Sequence, residues 1–169
     1  AERLAGGRTI PFAEFVDIAL YHPDVGFYAT GGRAGRRGDF LTSPEVGPLF
    51  GALVARLCDE VWEGLGRPDP FVVVDAGAGP GTLARTVRMA AAACAPSLVY
   101  VMVERSASQR QLHGAHLPGW LGERTGSELD RLAVVPLAGA GPAFVSSPEL
   151  PASVAGVIVA NELLDNVPF

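Results

Sequence analysis

Apolar residues recur at helical spacing in two stretches of the first third of the chain. From residue 11 to 20 this spacing predicts one helix that begins near a proline. A second helix is predicted from Ser43, as its N-cap, to the glycines at 64 and 66. Its apolar face consists of Val46, Leu49, Phe50, Leu53, Val54, Leu57 and Val61. Between the two helices, four glycines and three arginines at 31–38 predict a loop.

From residue 71 the pattern changes to one of alternating strands and helices. Residues 71–74 form a continuous apolar run, which is typical of a strand buried on both faces of a parallel sheet. The elements predicted after it are a helix at 81–93, a strand at 98–103, a short helix from Ser106 to about His116, a weaker strand at 132–137, a loop over 138–153 and a strand at 154–159. This order predicts an α/β fold of Rossmann-like type with a doubly wound, mostly parallel sheet. We expect residues 1–66 to form an N-terminal helical extension and residues 67–169 to form the sheet domain.

Polar residues follow three of the predicted strands. Asp75 follows the first strand, Glu104 follows the second, and Asn161 and Glu162 follow the last. Ligands of doubly wound sheets bind beyond the carboxyl ends of the strands. We therefore expect these side chains to converge on one crevice, which is the candidate binding site.

The segment after the first strand reads Asp-x-Gly-x-Gly-x-Gly, with glycines at positions 77, 79 and 81. Glycines at every second position permit a tight turn and a close approach of the backbone to a ligand. A dinucleotide-binding turn has the spacing Gly-x-Gly-x-x-Gly, which would need a glycine at the position of Thr82. The spacing therefore favours a nucleoside cofactor that is not a dinucleotide. The alternative is a strand-to-helix turn with a purely structural role.

Two carboxylates flank this turn. Glu104 ends the next strand, where it is suited to accept hydrogen bonds from both ribose hydroxyls of a nucleoside; the alternative is a solvated residue at a strand end. Asp75 is suited either to hold an ammonium group or to brace the turn, and both roles stay open. The predicted cofactor-binding residues at this place are Asp75, Gly77, Gly79, Gly81 and Glu104.

With these features, residues 71–104 resemble class I S-adenosylmethionine-dependent methyltransferases. Two flanking motifs make the resemblance more specific than this large class of enzymes. Residues 38–45 read G-D-F-L-T-S-P-E, and residues 161–165 read N-E-L-L-D. Over residues 9–169 the chain is similar to the N-terminal part of the MidA/NDUFAF7 family (DUF185-like). The resemblance implies S-adenosylmethionine as the cofactor and an arginine of a partner protein as the substrate, which in mitochondrial members belongs to a subunit of respiratory complex I. It also implies that a C-terminal half, or a second copy of the chain, completes the fold.

The resemblance further implies roles for residues of the flanking motifs. Glu162 and Asp165 are the predicted catalytic residues, as carboxylates that orient a guanidinium group and balance its charge. Asn161 is predicted to contact the methionine part of the cofactor or the substrate, and Asp39 and Glu45 are predicted to fold over the cofactor as part of a lid. The alternatives are that Asn161 and Asp165 cap a turn and that Glu45 only stabilises a helix dipole. Four aromatic residues either pack over the cofactor or belong to the core: Tyr21, Phe27, Tyr28 and Phe40.

Composition and net charge limit the partners and the cellular location that we expect for the protein. A net charge of -5 disfavours a nucleic-acid partner, and the apolar runs are too short to predict a membrane span. Cys58 and Cys94 lack metal-binding spacing and are predicted to be reduced residues inside helices, so no metal site is expected. A cytoplasmic protein is the default expectation. Two other functions stay open: a cofactor-binding assembly factor without turnover, and an NAD-dependent oxidoreductase, which Thr82 disfavours.

Overall fold

The computed structural model of the protein describes residues 9–30, 32, 42–115 and 117–167. Helices α1 (Phe12–Tyr21), α2 (Ser43–Val46) and α3 (Pro48–Gly64) precede the sheet. The elements that follow are β1 (Phe71–Ala76), α4 (Thr82–Met89), β2 (Leu98–Val103), α5 (Ala107–Arg110), β3 (Trp120–Glu123), α6 (Gly126–Leu132), β4 (Ala143–Ser147) and β5 (Gly156–Val159). Short 3-10 turns occupy Ala95–Ser97 and Leu164–Asn166.

The five strands form one parallel sheet in the order β3-β4-β2-β1-β5. The β-branched run of β1 suits its interior position, because every residue of this strand is buried. Alternate residues of β1 face opposite sides of the sheet. Val73 lies in a buried cluster with Cys58 of α3 and Leu83 of α4, whereas Val72 lies in a second cluster with Leu129 of α6. Helices therefore cover both faces, and the predicted doubly wound parallel sheet with an N-terminal helix is confirmed.

The strand predicted at 132–137 is wrong. α6 ends at Leu132, and the residues after it form an irregular turn in which Val134 and Val135 are mostly exposed. The carboxylate of Asp69 holds this turn by accepting a hydrogen bond from the backbone N–H of Leu137 at 2.7 Å. The leucines at the two ends of the run, Leu132 and Leu137, pack against the buried cluster that contains Val72, so the run contributes to the core without joining the sheet.

The loop predicted over 138–153 is also wrong, because β4 lies within it. β4 has the sequence Ala-Phe-Val-Ser-Ser, and all five of its residues are buried. It pairs with β2 on one side and with β3 on the other, which satisfies its backbone hydrogen bonds. Alanine is depleted in strands and serine is not among the residues enriched there, yet burial between two strands overrides these preferences. β3 lies in a segment for which no strand is predicted.

The second predicted helix is two helices. The N-cap of α2 is Thr42 instead of the predicted Ser43, and α3 begins at Pro48 after a break at Gly47. Gly47 has extended backbone angles, as expected of a residue that precedes proline. The proline that is well placed to begin α3 therefore also ends α2.

Both cysteines are free and buried. Cys58 lies in α3 as predicted, and burial raises the pKa of its thiol to about 11. Cys94 lies outside a helix, because α4 ends at Met89 and Ala91 then has a left-handed φ of 51°. The carboxylate of Asp59 accepts a hydrogen bond from the backbone N–H of Cys94 at 2.9 Å, which secures this turn against α3.

α3 contributes one face to the core of the sheet domain. Gly51 lies against Thr86 of α4, and a Cβ at Gly51 would overlap the threonine side chain. Elsewhere on α3, Leu49, Leu53 and Leu57 recur every fourth residue and are 72%, 58% and 48% exposed. The predicted domain boundary after residue 66 stays a prediction. In the part of the chain that the structure describes, no helix is long and apolar enough to cross a membrane.

Candidate cofactor site

The glycine turn connects β1 to α4 at the carboxyl edge of the sheet. Gly77, Gly79 and Gly81 have φ values of 77°, 53° and 82°, in the left-handed region that glycine adopts without steric cost. The backbone N–H groups of Gly77 and Ala78 donate to the carbonyl oxygen of Val103 at 2.9 and 3.0 Å. These hydrogen bonds fasten the turn to the end of β2.

The three glycines differ in what surrounds them. A Cβ on Gly77 would lie 2.8 Å from Cδ1 of Leu163, and one on Gly81 would lie 3.2 Å from Sδ of Met102. A Cβ on Gly79 would have no neighbour within 4 Å. A Cβ at position 77 or 81 would therefore force a neighbouring side chain to shift, whereas Gly79 faces open space.

The carboxylate of Glu104 lies against this turn, immediately after β2. Its Oε2 accepts a hydrogen bond from the backbone N–H of Gly79 at 3.0 Å, and its Oε1 accepts one from that of Ser106 at 2.7 Å. Burial raises the pKa of Glu104, and the hydrogen bonds from Ser106 and Gly79 oppose the rise. Each oxygen keeps a lone pair for one further donor, so the carboxylate is suited to a ligand with two adjacent hydroxyls.

Asp75 is the fifth of the six residues of β1 and is 3% exposed. Its Oδ2 accepts a hydrogen bond from the hydroxyl of Tyr100 at 3.3 Å. Burial raises the pKa of Asp75 to about 7; the Tyr100 hydrogen bond opposes this rise, and the charge of Glu104 adds to it. None of the ion pairs between described residues includes Asp75. The carboxylate therefore lies buried next to the turn without a cationic partner in this part of the chain.

His113 is a site residue that no sequence pattern identifies. Its Nε2 lies 2.7 Å from the carbonyl oxygen of Gly79, and its Nδ1 lies 2.8 Å from Oγ of Ser146. A carbonyl oxygen only accepts, so Nε2 carries the proton and Nδ1 of the neutral ring accepts from the serine hydroxyl. Burial lowers the pKa of His113, which favours this neutral form. A single histidine in a turn-rich segment has no periodic signal that would mark it.

The segment after β5 forms the opposite wall of the site. Glu162 is exposed and has a φ of 52°, a left-handed conformation that is uncommon for a residue with a side chain. Asn161 is half-buried, and the next residue but one, Leu163, packs on Gly77. The backbone of Asp165 lies in the 3-10 turn that follows, whereas its side chain lies outside the described residues.

Asn166 joins this wall to the N-terminal segment, although no sequence pattern singles it out. The hydroxyl of Tyr21 donates to its carbonyl oxygen at 2.8 Å, and the hydroxyl of Tyr28 donates to its Oδ1 at 2.9 Å. Its Nδ2 donates to the carbonyl oxygen of Glu162 at 3.0 Å. We call this group of Tyr21, Tyr28 and Asn166 the tyrosine clasp. It holds the N-terminal segment against the loop that carries Glu162.

The tyrosines also contact one another and a charged neighbour. The rings of Tyr21 and Tyr28 stack with their centroids 5.6 Å apart. The guanidinium of Arg105 lies 4.2 Å from the centroid of Tyr21 and pairs with Asp17 at 2.9 Å. Phe27 packs edge-on against Tyr28, while Phe40 lies outside the described residues.

These elements surround one cavity of about 810 Å³, which includes the open solvent at its mouth. Most of the predicted site residues line it, namely Glu45, Asp75, Gly77, Gly79, Glu104, Asn161 and Glu162. Gly81 lies behind the wall of the cavity, where it packs on Met102 and His113. Asp39 lies outside the described residues. Over the described ranges, no group of His, Cys, Asp or Glu side chains could hold a metal ion.

The comparison with known families agrees with this geometry. Residues 53–169 match a family described as putative S-adenosyl-L-methionine-dependent methyltransferases. The chain belongs to this family. The glycine turn and Glu104 lie inside the matched range, and the family description names the cofactor that the glycine spacing and the resemblance predict.

The chain is also similar to individual proteins that are named as protein arginine methyltransferases. Over 78 residues the chain is 45% identical to the mitochondrial protein arginine methyltransferase NDUFAF7 homolog of Drosophila melanogaster, a match that covers 46% of this chain and 18% of the relative. Over 74 residues it is 36% identical to the mitochondrial protein arginine methyltransferase NDUFAF7 of Homo sapiens, covering 44% and 17% of the two chains. The predicted resemblance to the MidA/NDUFAF7 family is confirmed. The prediction of a cytoplasmic protein is wrong, because these relatives are named as mitochondrial proteins.

A solved structure matches almost the whole chain. It is a likely methyltransferase of the COG1565 superfamily from Burkholderia thailandensis, bound to S-adenosyl-homocysteine, with a TM-score of 0.66 and 32% identity. The match covers 99% of this chain and 40% of the neighbour. The likeness confirms the methyltransferase fold, and the chain spans less than half the length of this neighbour.

Proposed function

We propose that the protein binds S-adenosylmethionine in this cavity and transfers its methyl group to a side chain of a partner protein. The observation that carries the proposal is the carboxylate of Glu104, held on the backbone N–H of Gly79 at 3.0 Å. A ribose-binding acid at the end of β2, beside a glycine turn, is what a nucleoside cofactor requires. Membership of a methyltransferase family and a structural neighbour bound to S-adenosyl-homocysteine support this proposal.

The residues around the cavity fit a nucleoside that carries an amino-acid tail. Glu104 retains acceptor capacity for two hydroxyls, and the open space at Gly79 admits a ligand close to the backbone. Asp75 lacks a cationic partner among the described residues, and an ammonium group beside it would favour its ionised form. We therefore assign the ribose to Glu104 and the tail to the side of the cavity with Asp75 and Asn161.

S-adenosylmethionine supplies a methyl group that its sulfonium has already activated. The remaining tasks of the protein are to hold the methyl acceptor in line with that group and to exclude water. The tyrosine clasp closes one side of the cavity, and Leu163 closes another beside Gly77. Glu45, in the first turn of α2, also lines the cavity. We propose that it and Asp39 belong to a lid formed by the N-terminal residues.

Arginine is the acceptor that we propose. The fly and human relatives are named protein arginine methyltransferases, and a guanidinium group requires carboxylates that orient it and balance its charge. Glu162 lies at the cavity with a left-handed backbone, a strained conformation of the kind that is found at functional sites. We propose that Glu162 holds the guanidinium and accepts the proton that it releases after methylation, with Asp165 as the second carboxylate.

Calorimetry tests the cofactor half of the proposal. We expect S-adenosyl-homocysteine to bind the protein and NAD not to bind. Glu104→Gln replaces one acceptor oxygen by an amide that only donates, so it should weaken binding by about tenfold or more. Glu149→Gln, at an exposed position, is the matched control and should bind as the wild type does. Tight NAD binding in the absence of S-adenosyl-homocysteine binding would overturn the proposal.

Transfer of a labelled methyl group tests the second half of the proposal, which is methylation of a partner protein. The first substrate to try is a subunit of respiratory complex I, which the family resemblance implies, with arginine and lysine variants of the acceptor site. Glu162→Gln should lower kcat by about a hundredfold, within the usual range for a group that handles a proton, and should leave the affinity for S-adenosyl-homocysteine unchanged. Cofactor binding without transfer to any protein would support the assembly-factor alternative instead.

A further inference from the structure

One buried side-chain atom at the cavity has no hydrogen-bond partner. Among the described residues this atom is Oε1 of Gln109, a residue of α5 that is 4% exposed and lines the cavity. A buried acceptor without a donor destabilises the folded state, and such groups are rare in native proteins. Because Gln109 lines the cavity, a bound ligand is in a position to supply the missing donor.

The orientation of the Gln109 amide is determined by its other end. Nε2 donates a hydrogen bond to the carbonyl oxygen of Gly32 at 3.2 Å. Because a carbonyl oxygen only accepts, the amide nitrogen must face Gly32 and Oε1 must face away from it. Gly32 is itself held by a hydrogen bond from its N–H to the carbonyl oxygen of Phe27 at 2.8 Å, and a Cβ on Gly32 would overlap the ring of Phe27. The unpaired atom is therefore an acceptor in a defined orientation.

The order of the strands places Gln109 on the base side of the cofactor. Asn161, Asp75 and Glu104 lie at the ends of β5, β1 and β2, which are neighbours in that order. α5 lies beyond Glu104, towards β3, because the guanidinium of Arg110 pairs with Glu123 of that strand at 3.1 Å. With the ribose at Glu104 and the amino-acid tail on the side of Asp75, the nucleobase is directed towards α5.

We propose that Oε1 of Gln109 accepts a hydrogen bond from the exocyclic amino group of the adenine base. The inference rests on the function proposed above, since it concerns the same cavity and the same cofactor. The ammonium group of the tail is the other N–H donor of the ligand, and it is better matched by the carboxylate of Asp75 than by a neutral amide. Gln109 therefore selects adenine against a base that carries a carbonyl oxygen at the same position.

Two ligands that differ at this one group provide the test. S-inosylhomocysteine carries a carbonyl oxygen where S-adenosyl-homocysteine carries the amino group, so in the wild-type protein two acceptors would face each other. We expect calorimetry to show that the wild type binds the inosine analogue about tenfold or more weakly. Equal affinities for the two ligands would overturn the inference while leaving the proposed function intact.

A pair of matched variants assigns the discrimination to Gln109. Gln109→Met keeps the length of the side chain and removes the acceptor, so the ratio of the two affinities should fall to about threefold or less. Gln111→Met makes the same change at an exposed position two residues later, and the wild-type ratio should persist. An unchanged ratio in Gln109→Met would overturn the inference.

A second variant and a control on binding make the experiment decisive. If Gln109→Met does not fold by circular dichroism, Gln109→Leu removes the same acceptor with a branched apolar side chain, and the ratio of the two affinities should again fall to about threefold or less. A wild-type ratio in Gln109→Leu would contradict the inference. Failure of the wild type to bind S-adenosyl-homocysteine at all would contradict the proposed function itself. That result differs from a change in the ratio of the two affinities, which tests only the role of Gln109.

Discussion

The backbone N–H of Gly79 donates a hydrogen bond to Oε2 of Glu104 at 3.0 Å. On its other side, the carbonyl oxygen of the same glycine lies 2.7 Å from Nε2 of His113. Both polar groups of one glycine are thus bound by the protein itself. The glycine turn and the acid at the end of β2 form one preorganised unit, so little ordering is needed when a ligand arrives.

The glycines at positions 79 and 81 should respond differently to the same substitution. Gly79→Ala and Gly81→Ala both place an alanine in a left-handed conformation, which costs about 1–2 kcal/mol. Only at Gly81 does the new methyl group also press on Met102 and His113, an overpacking that costs about 1–3 kcal/mol more. Urea denaturation should therefore give a lower free energy of unfolding for Gly81→Ala. Equal losses in the two variants would contradict the packing argument.

His113 should support the turn through its hydrogen bonds. His113→Leu leaves the carbonyl oxygen of Gly79 and the hydroxyl of Ser146 without partners, at a cost of about 1–3 kcal/mol for each group that stays buried. His113→Gln keeps an N–H donor that is suited to reach Gly79, so it should recover part of the loss. The measurements are the free energy of unfolding and the affinity for S-adenosyl-homocysteine. Equal behaviour of the two variants would show that the imidazole acts only by filling space.

Asp75 should make stability depend on pH. Its pKa is about 7 in the folded protein and 3.8 ordinarily, so between these values the folded state keeps a proton that the unfolded state releases. The contribution of Asp75 to stability is therefore fullest below about pH 4 and is lost as the pH rises towards 7, by about 1.4 kcal/mol for each pH unit within that window. Asp75→Asn keeps a neutral acceptor for Tyr100 and lacks this dependence.

Denaturation of both proteins at pH 5, 6, 7 and 8 measures the effect. The free energy of unfolding of the wild type is subtracted from that of Asp75→Asn. We expect this difference to grow as the pH rises and to level off above pH 7. His113 has a lowered pKa, so just below pH 6.5 it contributes the opposite trend, but it does so in both proteins and cancels in the difference. A difference that is independent of pH would show that Asp75 is ionised throughout.

The tyrosine clasp should control access to the cavity more than global stability. Asn166→Leu removes the acceptor for Tyr28 and the donor to Glu162, and we expect S-adenosyl-homocysteine to bind several-fold more weakly. Tyr28→Phe removes only the hydroxyl. Combining the two changes should give less than the sum of their effects on binding, because they share one hydrogen bond. Strictly additive losses would indicate that the two residues act independently.

The strands with strong intrinsic signals are the ones that the sequence predicts well. β1 and β2 are runs of β-branched and apolar residues that end beside Asp75 and Glu104, and both are nearly or completely buried. β4 is equally buried, but its alanine and serines resemble a loop in composition. Its strand conformation comes from its position between β2 and β3, which no local pattern records.

The same contrast holds for the site. Residues within a motif, such as Gly79 and Glu104, are predicted together because their spacing reflects one turn and the next strand. His113 and Asn166 act through partners that are distant in sequence: Ser146 is 33 residues from the histidine, and Tyr21 is 145 residues from the asparagine. Such contacts depend on the completed topology. Gln109 is likewise recognised only from its burial and its unpaired oxygen.

The tyrosine clasp has a consequence for the order in which the protein assembles. Its hydrogen bonds connect residues 145 and 138 positions apart, whereas β1 and β2 pair with residues only 27 positions apart. Contacts that close long loops form late, because the loss of chain entropy comes before the gain from the contact. We therefore expect the central pair of strands, β1 and β2, to form before the clasp, and the two chain segments of the clasp can separate while these strands remain paired. Ligand entry would then need only this local opening.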